Sequence, residues 1–249
     1  MSPSTAYFLV AHGSRDRRLT GSLSQLQQQF LTLRPNLLEV APPVATGTLE
    51  FGSAPLADQL RQFGQQVWSQ GIHQLHILPL FLQHGVHVRE DIPAAIAEAQ
   101  HTLPPPLKLQ LSPILGSHPG FAAALGQTLM AEQVDTWVLL AHGSRRPGGN
   151  QPVEHLATKL QIATAYWSVD PSLEHRVQEC LAQGHHRIGV IPYFLFPGKI
   201  TDRIATWITE RQHQACQAGV NLDFVLANPL NTHLSLASLL WDLIQLRIS

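Results

Sequence analysis

The chain carries the same layout of residues twice, and this internal repeat limits the folds available to it. The stretch "LVAHGSRDRR" at Leu9–Arg18 returns 130 positions later as "LLAHGSRRPG" at Leu139–Gly148. A second pair of segments, Leu75–Ile96 and Ile188–Ile208, each reads as an apolar strand, then Pro-x-Phe-Leu-x-x-Gly, then a helix. Because the paired segments occur in the same order, we predict two copies of one structural unit that arose by internal duplication.

The apolar runs within each copy are short and nearly continuous, which is typical of strands buried on both faces of a parallel sheet. The predicted strands are Tyr7–Ala11, Ile77–Leu82, Trp137–Ala141 and Ile188–Ile191. Helical patterns separate them, such as the apolar spacing of Leu60, Phe63 and Val67. Alternating strands and helices predict right-handed βαβ crossovers. We therefore expect an α/β protein with two similar doubly wound parallel-sheet lobes, at residues 1–133 and 134–249.

Charge and composition argue against several classes of partner. The chain has 16 Lys and Arg against 17 Asp and Glu, without the basic excess that nucleic-acid-binding proteins usually show. No window approaches the roughly 20 apolar residues of a membrane span, and the N-terminal sequence lacks the pattern of a secretory leader. Cys180 and Cys216 have no C-x-x-C spacing and predict neither a disulfide framework nor a thiolate metal site. We expect a cytoplasmic protein with no nucleic-acid or membrane partner.

Histidine is the outstanding residue type, with 14 copies, and imidazole is a common ligand of late first-row metals. His12 directly follows the first predicted strand, and His87 lies with His84 in the glycine-containing loop after another. Glu50 follows the second candidate strand. In such sheets, ligands gather at the carboxyl ends of the strands. Two histidines and a carboxylate there would suit Co²⁺, Fe²⁺ or Ni²⁺ with open coordination positions.

Arginines beside these histidines predict an acidic substrate. Arg15 follows the first repeat motif and Arg89 follows His87, and guanidinium groups bind carboxylates with two hydrogen bonds. Ser14 supplies a hydroxyl where we expect a helix to begin, a place suited to anions. Ser14 and His12 do not predict a serine hydrolase, because the G-x-S-x-G elbow is absent. Dinucleotide and P-loop glycine motifs are absent as well.

The order A-H-G-S-R-D, then a glutamate in "TLE", then P-L-F-L-x-x-G-x-H-x-x-x-D-I-P resembles the CbiX/SirB type of class II tetrapyrrole chelatases, the sirohydrochlorin chelatases. The resemblance covers nearly the whole chain and is to the long kind, a monomer with a built-in pseudo-dimer. It implies insertion of Co²⁺ or Fe²⁺ into sirohydrochlorin, for cobalamin or sirohaem, with the metal as substrate and no other cofactor. His12 and His87 match the metal-binding histidines, Glu50 matches an acidic position in the same cleft, and Asp91 begins the D-I-P that we interpret as a helix start.

The two copies differ at two of the three predicted catalytic positions, which are His12, His87 and Glu50. The second copy keeps His142, but Ile200 stands opposite His87. Two residues are candidates for the position equivalent to the acid: Ser168 and Val169. We therefore expect one catalytic site, in the first lobe. His142 is retained either because the fold repeats or because it contacts the substrate from the other side of the cleft.

An alternative function is a metal or tetrapyrrole carrier that binds without catalysis. The two functions are distinguished by mixing sirohydrochlorin with metal, because a carrier binds them without turnover. Within the chelatase hypothesis, we expect His12 to act chiefly as a metal ligand and His87 as the acceptor of a pyrrolic proton.

Overall fold

The computed structural model describes residues 5–33, 40–130 and 132–246. These residues form two compact units. The first unit contains the chain up to Pro119 together with the chain from Ser235 onward, and the second contains Gly120–Leu234. Each unit is built on a four-stranded parallel sheet with helices packed against it. The predicted α/β class with two similar doubly wound lobes is confirmed.

Strands and helices alternate along most of the chain. The strands are β1 Thr5–Ala11, β2 Val44–Thr48, β3 Gln74–Pro79, β4 Lys108–Leu111, β5 Thr136–Ala141, β6 Ala163–Tyr166, β7 Arg187–Pro192 and β8 Asp223–Leu226. The helices are α1 Arg18–Thr32, α2 Leu56–Ser69, α3 Ile92–Thr102, α4 Phe121–Leu129, α5 Gln151–Leu160, α6 Leu173–Ala182, α7 Lys199–Gln217, α8 Leu230–His233 and α9 Leu236–Gln245. The sheet orders are β2-β1-β3-β4 and β6-β5-β7-β8, so the duplication extends to topology.

The central strands are buried because their sequences are apolar without interruption. In β1 the residues from Ala6 to Ala11 are all buried, as an inner strand covered by helices on both faces requires. On one face, α2 and α3 pack Leu60, Val67 and Ile92 into the core of the first unit, and all three are fully buried. Burial of this continuous apolar surface is the main contribution to the stability of the unit.

The opposite face of the first sheet is covered by α1 and by the C-terminal helix α9. The rings of Phe30 and Trp241 stack with centroids 4.2 Å apart, and Tyr7 of β1 meets Trp241 edge-on at 5.1 Å. The indole Nε1–H of Trp241 donates a 2.8 Å hydrogen bond to the carbonyl of Phe30, so the one polar atom of this ring is satisfied. Burial in this cluster raises the pKa of Tyr7 to about 12.

The division into units differs from the boundary that we expected between residues 133 and 134. Helix α4, in the first sequence repeat, packs on α5 in the second unit, whereas α9, at the end of the chain, packs on α1 in the first unit. Helices α1 and α5 occupy equivalent places after the repeated Ala-His-Gly-Ser motif. The last helix of each sequence repeat therefore packs in the unit formed by the other repeat. The boundary between the two repeats in the sequence does not indicate this exchange.

Element limits agree with the sequence predictions except at one strand. We expected a strand over Ile77–Leu82, but β3 ends at Pro79, and Leu80–Leu82 continue as the loop that leads to His87. The proline explains this end, because it cannot donate to a sheet ladder. Within the described part of the chain, the helices are all too short or too polar to cross a lipid bilayer.

Candidate metal centre

The carboxyl ends of β1, β2 and β3 lie at the same edge of the first sheet because the three strands are parallel. His12 follows the last residue of β1, and Glu50 lies two residues after the end of β2. His87 comes eight residues after the end of β3. One ligand atom from each of these three residues lies within 4.8 Å of the other two. The structure thus brings together the three residues that we predicted as metal-binding or catalytic.

The spacing of this triad fits a divalent metal with only a small closure. Three donors bound to one ion at about 2.1 Å lie roughly 3–3.6 Å from one another, so a pair of ligand atoms near the 4.8 Å limit would need to approach by about 1 Å. His12 and Glu50 are exposed and His87 is partly buried. Three donors, two of them exposed, leave further coordination positions open, as an ion that must be passed on requires.

The backbone of Glu50 is fixed against the His12 loop. The Glu50 N–H donates to the carbonyl of His12 at 2.9 Å, which continues the ladder beyond the last paired residues of β1 and β2. Gly13 makes this approach possible: it has a φ of +101°, and a Cβ there would lie 1.9 Å from the Glu50 carbonyl oxygen. Only glycine fits both constraints. The side chain of Gln59 braces the same loop by donating to Thr48 and Ala54 carbonyls.

His87 opens a single turn of π-helix, His87–Asp91, that leads directly into α3. The Ile92 N–H donates to the carbonyl of His87, an i to i+5 bond that accommodates one residue more than an α-helix would. The second unit has no such insertion between Gly198 and Ile204, where α7 begins as an ordinary α-helix. The sequence contained a signal of this insertion, because the matching segments Leu75–Ile96 and Ile188–Ile208 are 22 and 21 residues long.

The π-turn places a carboxylate behind His87. The Nδ1 of His87 lies 2.6 Å from Oδ2 of Asp91, so Nε2 is the nitrogen left to face the other triad members. The rings of His12 and His87 meet nearly perpendicular, with centroids 4.6 Å apart. We had interpreted Asp91 only as the start of a helix; α3 does begin one residue later, but the contact with His87 was missed. A histidine followed four residues later by an acid was the available signal.

Three of the residues predicted to bind substrate, Ser14, Arg15 and Arg89, lie within three residues of His12 or His87 along the chain. Arg15 and Arg89 are both exposed, and the guanidinium carbon of Arg15 lies 5.1 Å from the centroid of the Phe51 ring. The hydroxyl of Ser14 accepts the N–H of Asp16 at 3.0 Å. His84, which we placed on the same rim, is exposed but does not belong to the triad.

The start of α1 differs from the anion site that we expected after Ser14. The helix begins four residues later, and the carboxylate of Asp16 accepts the Arg18 N–H at 3.0 Å. The same carboxylate pairs with the Arg18 guanidinium, with Oδ2 2.6 Å from Nη2. The carboxylate of Asp16 therefore lies at the start of α1, where the sequence predicts a site for a bound anion.

In the second unit the corresponding site holds only one of the three groups. The Ser168 N–H donates to the carbonyl of His142 at 2.9 Å, just as Glu50 does to His12, so Ser168 and not Val169 is the equivalent of the acid. The Ser168 hydroxyl lies 3.1 Å from Nδ1 of His142. A serine in place of the carboxylate and Ile200 in place of the second imidazole leave His142 without partners suited to a divalent ion.

Comparison with known families agrees with the duplicated architecture. The family model CbiX matches residues 6–132 and again residues 136–245. The chain belongs to the CbiX family. Since the model matches twice, each sequence repeat is a CbiX repeat, and the metal triad lies in the first of them.

Individual relatives extend this result. A sirohydrochlorin cobaltochelatase of Priestia megaterium is 26% identical over 249 residues, which cover 93% of this chain and 76% of that protein. Among solved structures, SirB from Bacillus subtilis with Fe³⁺ superposes with a TM-score of 0.74 at 19% identity, covering 98% of this chain and 95% of the other. The cobalt complex of a Bacillus subtilis SirB gives a TM-score of 0.71, also at 19% identity, over 98% of this chain and 94% of the other. These structural matches show that the CbiX chain shares their two-lobed fold.

Proposed function

We propose that this protein is a sirohydrochlorin chelatase, an enzyme that inserts Co²⁺ or Fe²⁺ into sirohydrochlorin. The observation that carries the proposal is the convergence of His12, Glu50 and His87 within 4.8 Å at one sheet edge of a CbiX repeat. The functions of the relatives and the metals in the similar structures support the same activity. The metal is a substrate here, so a site of exchangeable ligands is more suitable than a closed cage.

Capture of the metal is assigned to the triad. His12, held at the end of β1, and the carboxylate of Glu50 replace part of the hydration shell of the incoming ion. Imidazole and carboxylate bind Fe²⁺, Co²⁺ and Ni²⁺ alike, so the triad serves any of these metals. Because all three donors come from loops at a strand edge and are at least partly exposed, the ion can leave toward the macrocycle once pyrrole nitrogens replace the protein ligands.

Insertion also releases two protons, one from each pyrrolic N–H of the macrocycle; His87 is the assigned acceptor of one of them, and the other passes to solvent water. Its Nδ1 is engaged by Asp91 at 2.6 Å, which orients the ring and leaves Nε2 to accept. A carboxylate in this position also stabilises the imidazolium that forms on proton transfer. The charge of the metal is neutralised in the product because the divalent ion replaces the two protons and is bound by a doubly deprotonated macrocycle.

Substrate binding is assigned to the exposed side chains beside the triad. Arg15 and Arg89 would pair with peripheral carboxylates of the tetrapyrrole, with Ser14 as a hydrogen-bonding neighbour. Each charged hydrogen bond from an arginine contributes about 1.5–3 kcal/mol, so these residues affect tetrapyrrole affinity more than metal affinity. The fused repeats would make the protein a monomer with an internal pseudo-dimer.

The test is an anaerobic absorbance assay of the purified protein with sirohydrochlorin and Co²⁺ or Fe²⁺. We expect wild-type protein to metallate the macrocycle and His87→Ala to lose that activity at least 100-fold while it remains folded. His175→Ala is the matched control, because His175 is an exposed helical histidine with an acid, Glu179, four residues later in the second unit. Binding of both substrates by the wild type without turnover would support a carrier instead.

A further inference from the structure

Phe51 has a backbone conformation that a bulky residue adopts only at a cost. It lies next to Glu50 and has a φ of +56°. Among the described residues, Gln161 is the one other non-glycine residue with positive φ, and it ends α5 at a position where the left-handed conformation is common. Phe51 ends no helix. A phenylalanine in this region is a true outlier, and such residues cluster at functional sites where the strain serves a purpose.

The strained backbone presents the Phe51 ring to solvent. The residue is 56% exposed, whereas the aromatic residues Phe8 and Phe63 of the same unit are buried. A large apolar ring that is more than half exposed contributes less to packing than a phenylalanine of the core does. Its position beside a metal triad means that whatever binds over the triad also meets the ring.

The guanidinium of Arg15 lies over one face of the Phe51 ring and places positive charge beside it. The guanidinium carbon lies 5.1 Å from the centroid of the Phe51 ring, a cation–π contact. The pair thus combines a flat apolar face with hydrogen-bond donors at one side. This combination complements a planar conjugated ring system that carries carboxylates on its periphery.

The second unit lacks the arrangement, although its chain follows the same course. The residue equivalent to Phe51 is Val169, whose φ is not positive and whose side chain packs toward Gly143. Strain, exposure and the aromatic ring therefore occur together only in the unit that has the metal triad. A general feature of the fold would appear in both units. A feature found only beside the triad is instead what a role in substrate binding requires.

We infer that Phe51 is a substrate-positioning residue whose ring stacks on the face of the tetrapyrrole while Arg15 pairs with one of its carboxylates. The inference rests on the proposed function for the identity of the macrocycle. Stacking of an aromatic side chain on a conjugated ring strengthens binding by about tenfold or more. Phe51 would thus hold the macrocycle over His12, Glu50 and His87 without touching the metal.

The experiment compares Phe51→Gly with Gln161→Gly in the full-length protein. Glycine relieves the positive φ at both positions, so thermal unfolding should occur at an equal or higher temperature in both variants. Metal-free sirohydrochlorin is then titrated into each variant and followed by absorbance and protein fluorescence. We expect Phe51→Gly to weaken this binding about tenfold, Gln161→Gly to leave it at the wild-type value, and Co²⁺ affinity to stay unchanged in both.

Several outcomes would overturn the inference: wild-type affinity for sirohydrochlorin in Phe51→Gly, a fall in its thermal stability that accounts for weaker binding, or an equal loss of Co²⁺ affinity. Phe51→Tyr, which keeps the ring, should retain binding within about twofold, and a tenfold loss there would also contradict it. Because the readout is binding, the result does not depend on turnover. Wild-type protein that binds sirohydrochlorin but does not metallate it would refute the proposed function and leave the inference about Phe51 standing.

Discussion

At the scale of single residues, the site depends on contacts that hold its three ligands in place. Asp91 is the clearest case, because its only role in the described contacts is to engage Nδ1 of His87 at 2.6 Å. Carboxylates that orient a metal-binding or proton-accepting imidazole in this way affect affinity or activity by 10–100-fold when they are replaced. Asp91 therefore acts through His87 and is a positioning residue.

We predict that Asp91→Asn lowers metallation about 10–100-fold with little change in unfolding free energy, because the amide cannot stabilise a protonated imidazole as a carboxylate does. Glu179→Gln is the matched control, since Glu179 lies 3.1 Å from His175 with the same spacing of four residues. Steady-state metallation rates check both variants. Activity of Asp91→Glu near that of the wild type would support a positioning role, whereas equal rates in Asp91→Asn and wild type would exclude it.

A second residue-scale prediction concerns Gly13. Replacement by alanine both strains the backbone, at about 1–2 kcal/mol for the left-handed region, and places a methyl group against the Glu50 carbonyl. Gly71→Ala is the control that isolates the first effect, because Gly71 has a φ of +80° and nothing within 4 Å of the added Cβ. In urea unfolding, Gly13→Ala should lose more free energy than Gly71→Ala, and it alone should weaken Co²⁺ binding. Equal losses would show that the close approach to Glu50 is unimportant.

At the scale of elements, the π-turn distinguishes the active repeat from its copy. One extra residue between Gly85 and Ile92 changes which side chains face the rim, while Ile92 and its counterpart Ile204 are both fully buried. The extra residue is thus accommodated in the π-turn before α3, and the buried positions of the helix that follows remain equivalent in the two units. Single-residue π-bulges of this kind are frequent at functional sites.

We predict that deletion of Glu90 converts the start of α3 to an ordinary α-helix without unfolding the protein, because the second unit folds with the shorter segment. One residue fewer rotates His87 by about 100° relative to the helix core, so metallation should fall to background. Glu90→Ala, which keeps the length, should retain activity. Circular dichroism together with the absorbance assay checks both variants. A deletion variant that is folded and active would contradict this role of the π-turn.

At the scale of the whole molecule, the unit that holds the metal triad is not continuous in sequence. Its core includes α9, seven of whose ten residues are buried, even though α9 lies more than 140 residues after His87 in the chain. The stability of the site therefore depends on the far end of the chain through the packing of Trp241 on Phe30 and Tyr7.

We predict that Trp241→Ala destabilises the first unit by about 3–5 kcal/mol, the usual cost of removing a large buried aromatic side chain. Co²⁺ binding should then be lost at a lower urea concentration than in the wild type, because the triad unfolds with its unit. Leu246→Ala is the control, since Leu246 is 58% exposed and its replacement should change stability by less than about 0.5 kcal/mol. Metal binding with the same urea midpoint in Trp241→Ala and wild type would show that α9 is not needed by the site.

The sequence by itself determined the α/β class, the duplication and the three residues that meet at one edge of the first sheet. Each of these follows from local pattern: continuous apolar strands, a repeated motif, and polar residues placed directly after strand ends, which a parallel sheet must gather at one edge. The difference between the two repeats could be predicted in the same way, because Ile200 stands opposite His87 and no acid stands opposite Glu50.

Only the tertiary structure decided which segments share a core and how the ligands are supported. The exchange of α4 and α9 is invisible in sequence, because either helix has an apolar face that would pack equally well on its own repeat. The contact of Asp91 with His87 depends on the π-turn, and the strain at Phe51 depends on how the Glu50 loop meets Gly13. The exchange of helices and the strain at Phe51 arise from distances between backbone segments far apart in sequence, which residue patterns do not encode locally. The contact of Asp91 with His87 is local, and its spacing of four residues is the one signal of it in the sequence.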